Sequence, residues 1–489
     1  MKVKALVLLL LVVVLPACSD LPGGAADLRG LQASAPGRTP LDEYVRAPDP
    51  DFSYQLVNTL VGEDYLVHVV KMTSQQWRGA GEVDRTLWWH WLTLIEPTQV
   101  THSVALLMIA GGANDEPPPL APKPALVKIA VATGSIVAEL RMVPNQPLSF
   151  VDDEAGPRRE DELIAYAWDK YLKGGDATWL PRLPMTHSAV RAMDAVTDFF
   201  HDRVGRGLDI DGFVVAGASK RGWTTWTTAA ADRRVVAIIP MVIDLLNVEE
   251  SFSHHYAAYG FWAPAVHDYE ETGIMRWLGS EQFHALLAIV DPYQYRARLT
   301  MPKFMINAAG DEFFLPDSSQ FYFDDLPGEK LLRYIPNSGH SLEDTDAMDS
   351  LRAFYRAILE GTQLPHFTWT LENDGSIRVR TGATTPSQVL FWQATNEKVR
   401  DFRIDTIGET WSSTALHDQG DGLYKGSVEE PTVGWTAFFV ELTYPTGGEV
   451  PLKLTTQVRV VPDRLPFKAP VGRRNGRLPD AVRRGGSWP

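Results

Sequence analysis

Three short segments carry residue types that together can perform acyl transfer. The first is Gly217-Ala218-Ser219-Lys220-Arg221-Gly222, which follows the apolar run Phe213-Val214-Val215-Ala216. A serine set among small residues at a strand-to-helix turn can be held on a strained elbow that presents its hydroxyl outward. The usual spacing is Gly-x-Ser-x-Gly, but here Arg221 stands at the second glycine position and the glycine follows one place later, at 222. The second segment places Gly310-Asp311-Glu312-Phe313-Phe314 just beyond the strand-like segment 304–307. A carboxylate there can fix the tautomer of a histidine and stabilise its imidazolium. Asp311 is the first candidate, with Glu312 and Asp317 as competitors; a turn or cap role is the plain alternative for Asp311. The third segment, Asn337-Ser338-Gly339-His340-Ser341, puts a histidine in a loop of small residues after the strand-like segment 331–335. From such a loop His340 can reach the serine as general base.

An oxyanion formed at the attacked carbonyl needs donors, and loss of one typically costs roughly 10²–10³ in rate. The backbone N–H of Lys220 is one candidate, and that of Gly112 in Ala110-Gly111-Gly112-Ala113-Asn114 is the other, because glycine permits close backbone approach. The cationic side chains of Lys220 and Arg221 either add to this donor set or pair with carboxylates. No metal-ligand spacing is present: His254 and His255 are adjacent and lack partners at ligand intervals. Dinucleotide and phosphate-loop fingerprints are likewise missing from the sequence. The expected site therefore uses no metal or cofactor, and its expected substrate is a peptide or an ester.

These segments need a scaffold that brings distant strand ends together. Apolar alternation predicts strands near 54–57 and 65–70 around the turn Gly62-Glu63-Asp64, then at 87–94, 103–110 and 136–140. Helical periodicity marks 122–132, 160–172, 188–200 and 344–359, and buried strands fit 213–216, 235–240, 304–307 and 331–335. This alternation predicts a doubly wound, mostly parallel sheet opened by antiparallel strands. The chain order Ser, Asp, His at strand ends is that of the α/β-hydrolase fold, so residues 46–365 are expected to form such a domain. Residues 245–300 interrupt it with many aromatic residues, among them Phe252, Tyr256, Trp262, Tyr269 and Trp277, and are expected either to wall a pocket or to pack as an ordinary helical insert. From 366 to 463, short alternating segments and turns such as Asn373-Asp374-Gly375 predict an all-β sandwich of the immunoglobulin or fibronectin kind. The arginine-rich stretch 464–489 is expected to be a solvated tail.

The N-terminus points to export. Lys2 and Lys4 precede an apolar run, 5–15, with the length of a signal-peptide core, ending at Leu15-Pro16-Ala17-Cys18. Cys18 is the single cysteine of the 489 residues. Its place after a small residue suggests acylation and membrane anchoring through lipid, although Pro16 departs from the usual small residue; a plain secretory signal is the alternative. Residues 19–45, rich in Gly, Ala, Pro and Asp, are expected to tether the anchor to the first domain. The formal net charge of −15 argues against non-specific binding to nucleic acid.

The chain resembles the PhoPQ-activated pathogenicity-related proteins of the α/β-hydrolase superfamily. The resemblance lies in Gly217-Ala218-Ser219-Lys220-Arg221-Gly222-Trp223-Thr224-Thr225-Trp226, in Leu183-Pro184-Met185 with Ala192-Met193-Asp194, and in Gly310-Asp311-Glu312-Phe313-Phe314 with Pro316-Asp317-Ser318. It spans about residues 40–460 and implies a hydrolase domain, a C-terminal sandwich and an exported role in the bacterial envelope, at the outer membrane or in the periplasm. The family is similar to a secreted proliferation repressor of social amoebae with peptidase-like behaviour, and the Ser-Lys-Arg-Gly elbow is similar to that of glucuronoyl esterases. The resemblance thus leaves peptides and carbohydrate esters both open, alongside a non-catalytic binding role on the same fold.

Overall fold

The computed structural model describes residues 37–201 and 207–470. The signal-like run, Cys18, all but the end of the tether and most of the basic tail lie outside the described residues.

The centre of the chain is a nine-stranded sheet. Its strands are β1 (Ser53–Val61), β2 (Tyr65–Gln76), β3 (Leu87–Pro97), β4 (Val104–Ile109), β5 (Val137–Leu140), β6 (Gly212–Ala218), β7 (Val235–Met241), β8 (Lys303–Ala308) and β9 (Lys330–Ile335). They lie in the order β1-β2-β3-β5-β4-β6-β7-β8-β9. The first three pair antiparallel and β5 pairs antiparallel with β3. From β5 to β9 every pair is parallel. The exchange of β4 and β5 and the parallel run that follows are the α/β-hydrolase arrangement. It brings the C-terminal ends of β4, β6, β8 and β9 to one edge, where loops carry chemistry.

Helices α1 (Pro40–Arg46), α2 (Pro124–Thr133), α3 (Glu160–Gly174), α4 (Arg182–His201), α5 (Lys220–Ala231), α6 (Val248–Tyr259), α7 (His267–Glu271), α8 (Glu281–Val290) and α9 (Ala347–Glu360) complete the unit. Side chains alternate across a strand, so each strand feeds two cores. Leu106, Val214, Ile239 and Phe304 pack with α2 and α9. Leu107, Val215, Ile238 and Met305 pack with α3, α4 and α5 on the other face. Burial on both faces explains why β4, β6 and β7 read as nearly unbroken apolar runs.

Helix α4 begins at Arg182, six residues before the expected 188. Pro184 falls in its first turn, where a missing N–H costs no intrahelical bond. The interruption between β7 and β8 is helical, formed by α6, α7, α8 and short 3₁₀ turns.

Two antiparallel sheets follow. One holds β10 (Phe367–Leu371), β11 (Ile377–Thr381) and β14 (Leu423–Gly426). The other holds β12 (Gln388–Asn396), β13 (Ser412–Ala415), β15 (Trp435–Tyr444), β16 (Leu452–Thr455) and β17 (Arg459–Val461). Val379 and Tyr424 of the first share a core with Phe391, Phe438 and Val440 of the second. The Tyr334 N–H of β9 donates to Thr455 Oγ1 at 3.0 Å, joining this region to the edge of the central sheet.

Candidate active site

Ser219 sits between β6 and α5 with φ 57° and ψ −127°. That is a left-handed backbone for a residue with a Cβ, and such strain costs about 1–3 kcal/mol. The turn is held by the Ser219 N–H donating to Met241 O at 2.8 Å and by its carbonyl accepting from Trp223 N at 3.0 Å. The displaced glycine has a steric cause. A Cβ at Gly217 would lie 2.6 Å from Arg221 O, and one at Gly222 would lie 2.9 Å from Gly217 O and 3.0 Å from Met241 O. Gly222, rather than residue 221, is where α5 crosses the strand ends, which leaves 221 free to carry an arginine.

The acid and the histidine meet at the ends of β8 and β9. His340 Nδ1 lies 2.9 Å from Asp311 Oδ2 and 3.0 Å from Oδ1. Asp311 is 4% exposed and its Oδ1 also accepts from Phe313 N at 2.8 Å. The competing carboxylates have other work. Glu312 Oε2 accepts the His340 backbone N–H at 2.7 Å, and a Cβ on Gly339 would strike that carboxylate at 2.6 Å. Asp317 pairs with His254 at 3.1 Å and with Arg400 at 2.5 Å. The Phe313 ring lies 4.2 Å from the His340 imidazole, centroid to centroid. The other ring nitrogen, His340 Nε2, is buried without a hydrogen-bond partner among the described residues.

Ser219 and Lys220 line a narrow cleft of about 30 Å³, walled by Trp168, Trp223, Phe252, Tyr269, Phe313 and Phe314 among others. Phe252 and Tyr269 come from the insertion, so part of that segment walls the cleft, while its Trp262 packs on Phe252 and Tyr256 instead. Gly112 does not line this cleft. It has φ 143°, its carbonyl accepts from Gln146 Nε2 at 3.2 Å, and its neighbour Gly111 packs against the Arg221 guanidinium.

The cationic side chains beside Ser219 are engaged in ion pairs. Arg221 makes a two-pronged pair with Glu160, at 2.7 and 2.6 Å. Lys220, 7% exposed, reaches Glu160 at 3.0 Å and Asp161 at 2.8 Å. Burial alone would raise the Glu160 carboxyl, but Arg221 and Lys220 outweigh it and hold the pKa at about 2. Glu160, Asp161 and Arg182 were not legible as site residues in the sequence. The acidic run 160–162 has the ordinary look of a helix N-terminus, and nothing local ties it to a serine some sixty residues on.

The C-terminal region also reaches this edge. The Ile404 N–H donates to Gly310 O at 2.8 Å, next to Asp311. The Asn337 side chain, three residues before His340, donates to Trp411 O at 2.9 Å and accepts from Trp411 N at 2.8 Å. With Arg400 on Asp317, three contacts from 400–411 brace the acid and histidine loops.

A profile of PhoPQ-activated pathogenicity-related proteins matches residues 41–403. The chain belongs to that family. A relative from Dictyostelium discoideum, the autocrine proliferation repressor protein A, is 38% identical over 459 residues, covering 88% of this chain and 92% of its own. Among solved structures, acetyl xylan esterase 1 from Thermoanaerobacterium sp. is 16% identical with a TM-score of 0.46, over 65% of this chain and 93% of that one. Acetyl xylan esterase from Paenibacillus sp. R4 is 16% identical with a TM-score of 0.45, over 65% and 92%. The acylaminoacyl peptidase of Pyrococcus horikoshii is 10% identical with a TM-score of 0.38, over 63% and 49%.

Proposed function

We propose that the chain is an exported serine hydrolase acting on a peptide or an ester, in the bacterial envelope or on host molecules. Ser219 attacks the substrate carbonyl, and His340 takes the hydroxyl proton at Nε2 and returns it to the leaving group. Asp311 holds Nδ1–H and stabilises the imidazolium. A water then attacks the acyl-enzyme, with His340 again as base, to release the acid. The Lys220 N–H, at the positive end of α5, is the oxyanion donor that lines the cleft; Gly112, expected from the sequence as the second, lies outside that lining and would serve only if the loop after β4 moved in with substrate. The observation that carries this reading is the strained serine elbow between β6 and α5, together with the Asp311–His340 pair beyond the ends of β8 and β9 in the same sheet.

The N-terminal sequence supports export, with acylated Cys18 as the membrane anchor. The shared core of the two C-terminal sheets supports an immunoglobulin-like sandwich whose part is to brace the acid and histidine loops.

A second reading, a binding protein that keeps the fold without turnover, is favoured by one observation: His340 Nε2 makes no bond to Ser219 or to any other described group. Such bonds often form only with substrate in place. Labelling by a fluorophosphonate probe separates the two. Labelling of the natural protein that disappears in Ser219→Ala supports the hydrolase. No Ser219-dependent labelling, with no hydrolysis across ester and peptide panels, supports the binder. Incorporation of labelled palmitate that is lost in Cys18→Ala tests the anchor.

A further inference from the structure

Arg182, the first residue of α4, is 2% exposed and lines the cleft beside Ser219. Its guanidinium stacks on the Trp223 indole, 4.3 Å from the ring centroid, and Nη1 donates to Lys220 O at 2.8 Å. Nε is buried without a partner. The two nearby carboxylates are committed elsewhere: Glu160 to Arg221 and Lys220, Asp161 to Lys220 and to the Tyr269 hydroxyl at 2.9 Å. Among the described residues no carboxylate lies within ion-pair distance of Arg182.

A buried cation without a counter-ion is expensive, because it gives up hydration and receives no Coulombic return. Trp223 and one carbonyl repay only part of that cost. Stability alone would be served by a neutral residue in this position, so the charge points to a ligand that brings its own negative group. The free edge of the guanidinium, Nε with Nη2, is the geometry that takes a carboxylate through two parallel N–H···O bonds.

We propose that Arg182 is a specificity-determining residue that binds a carboxylate carried by the substrate close to the bond under attack. The proposal rests on Ser219 being the nucleophile of that cleft. Two sources have this chemistry: the C-terminal carboxylate of a peptide, and the free carboxylate of a dicarboxylic half-ester.

The test measures binding and needs no turnover. Calorimetry on the Ser219→Ala protein compares monoethyl succinate with diethyl succinate, and an alanine tripeptide with its C-terminal amide. At least one acid should bind tenfold or more tighter than its neutral counterpart; which acid does so assigns the source. Arg182→Gln in the same background should bring that preference below twofold, and Arg182→Lys should retain part of it. Neither acid being preferred, or a preference that survives Arg182→Gln, overturns the proposal. Should Arg182→Gln not fold, Arg182→Lys carries the test, with at least a threefold fall in preference expected because the paired N–H edge is lost. The hydrolase reading fails separately, by absence of fluorophosphonate labelling, and leaves this binding result standing.

Discussion

Asp311→Asn isolates the role of one carboxylate without changing its shape. Oδ1 accepts two backbone N–H groups, from Phe313 at 2.8 Å and Phe314 at 3.3 Å. In the asparagine those donors keep the carbonyl oxygen at the Oδ1 place. The amide nitrogen then takes the Oδ2 place, 2.9 Å from His340 Nδ1, and donates to it. That donor favours the tautomer with the imidazole proton on Nε2, where it cannot accept one from Ser219, against the tautomer in which Nδ1–H donates to the oxygen at 3.0 Å. The imidazolium also loses its facing charge. Comparable exchanges in serine triads lower turnover by roughly 10⁴, so a loss of about 10³–10⁴ is expected here, equal to about 4–5.5 kcal/mol of activation free energy. The assay is the second-order rate of fluorophosphonate labelling at pH 7.5, with circular dichroism melting as the check on folding. A variant that melts like the natural protein yet labels within tenfold of its rate would refute the assignment of Asp311.

Four further outcomes follow from the same geometry. Gly339→Ala drives a Cβ into the Glu312 carboxylate and frees the His340 loop, so labelling should fall at least tenfold, read against an unchanged far-ultraviolet spectrum. Gly222→Ala meets backbone oxygens of Gly217 and Met241 that cannot move aside, and should cost roughly 2–4 kcal/mol in urea unfolding. Arg221→Ala removes the two-pronged partner of Glu160, but that side chain is 40% exposed and keeps Lys220 at 3.0 Å, so the cost in the same experiment should be only roughly 1–2 kcal/mol. His255 is held neutral by burial, with its pKa lowered to about 3, and its Nε2 accepts from Ala263 N at 3.0 Å. A lowered histidine pKa means the unfolded chain binds the proton more readily, so this stability is whole above about pH 6.5 and is lost as pH falls towards 3. Between pH 7 and pH 4.5 the natural protein should lose roughly 2–3 kcal/mol more than His255→Gln in denaturant titrations.

The amino-acid sequence determined the parts that depend on neighbours along the chain. Buried apolar runs marked β4 and β6, and shorter ones broken by Asn307 and Arg333 marked β8 and β9, because strands covered on both faces tolerate little else. Ser219, Asp311 and His340 were legible because each stands one turn beyond such a run. The reading stopped where local pattern gives out. Pro184 hid the first turn of α4, and with it the position of Arg182. The acidic start of α3 gave no sign that Glu160 and Asp161 would close on Lys220 and Arg221. Only the tertiary structure decided that Glu312 grips the His340 backbone while Asp317 turns to His254 and Arg400, since the three carboxylates lie within seven residues and differ only in where the chain points them. The bracing of Gly310 by Ile404 and of Asn337 by Trp411 joins residues more than seventy apart. Such contacts have no period or spacing along the chain. They exist because folding places the edge strand β9 against β16, and that packing is a property of the whole molecule.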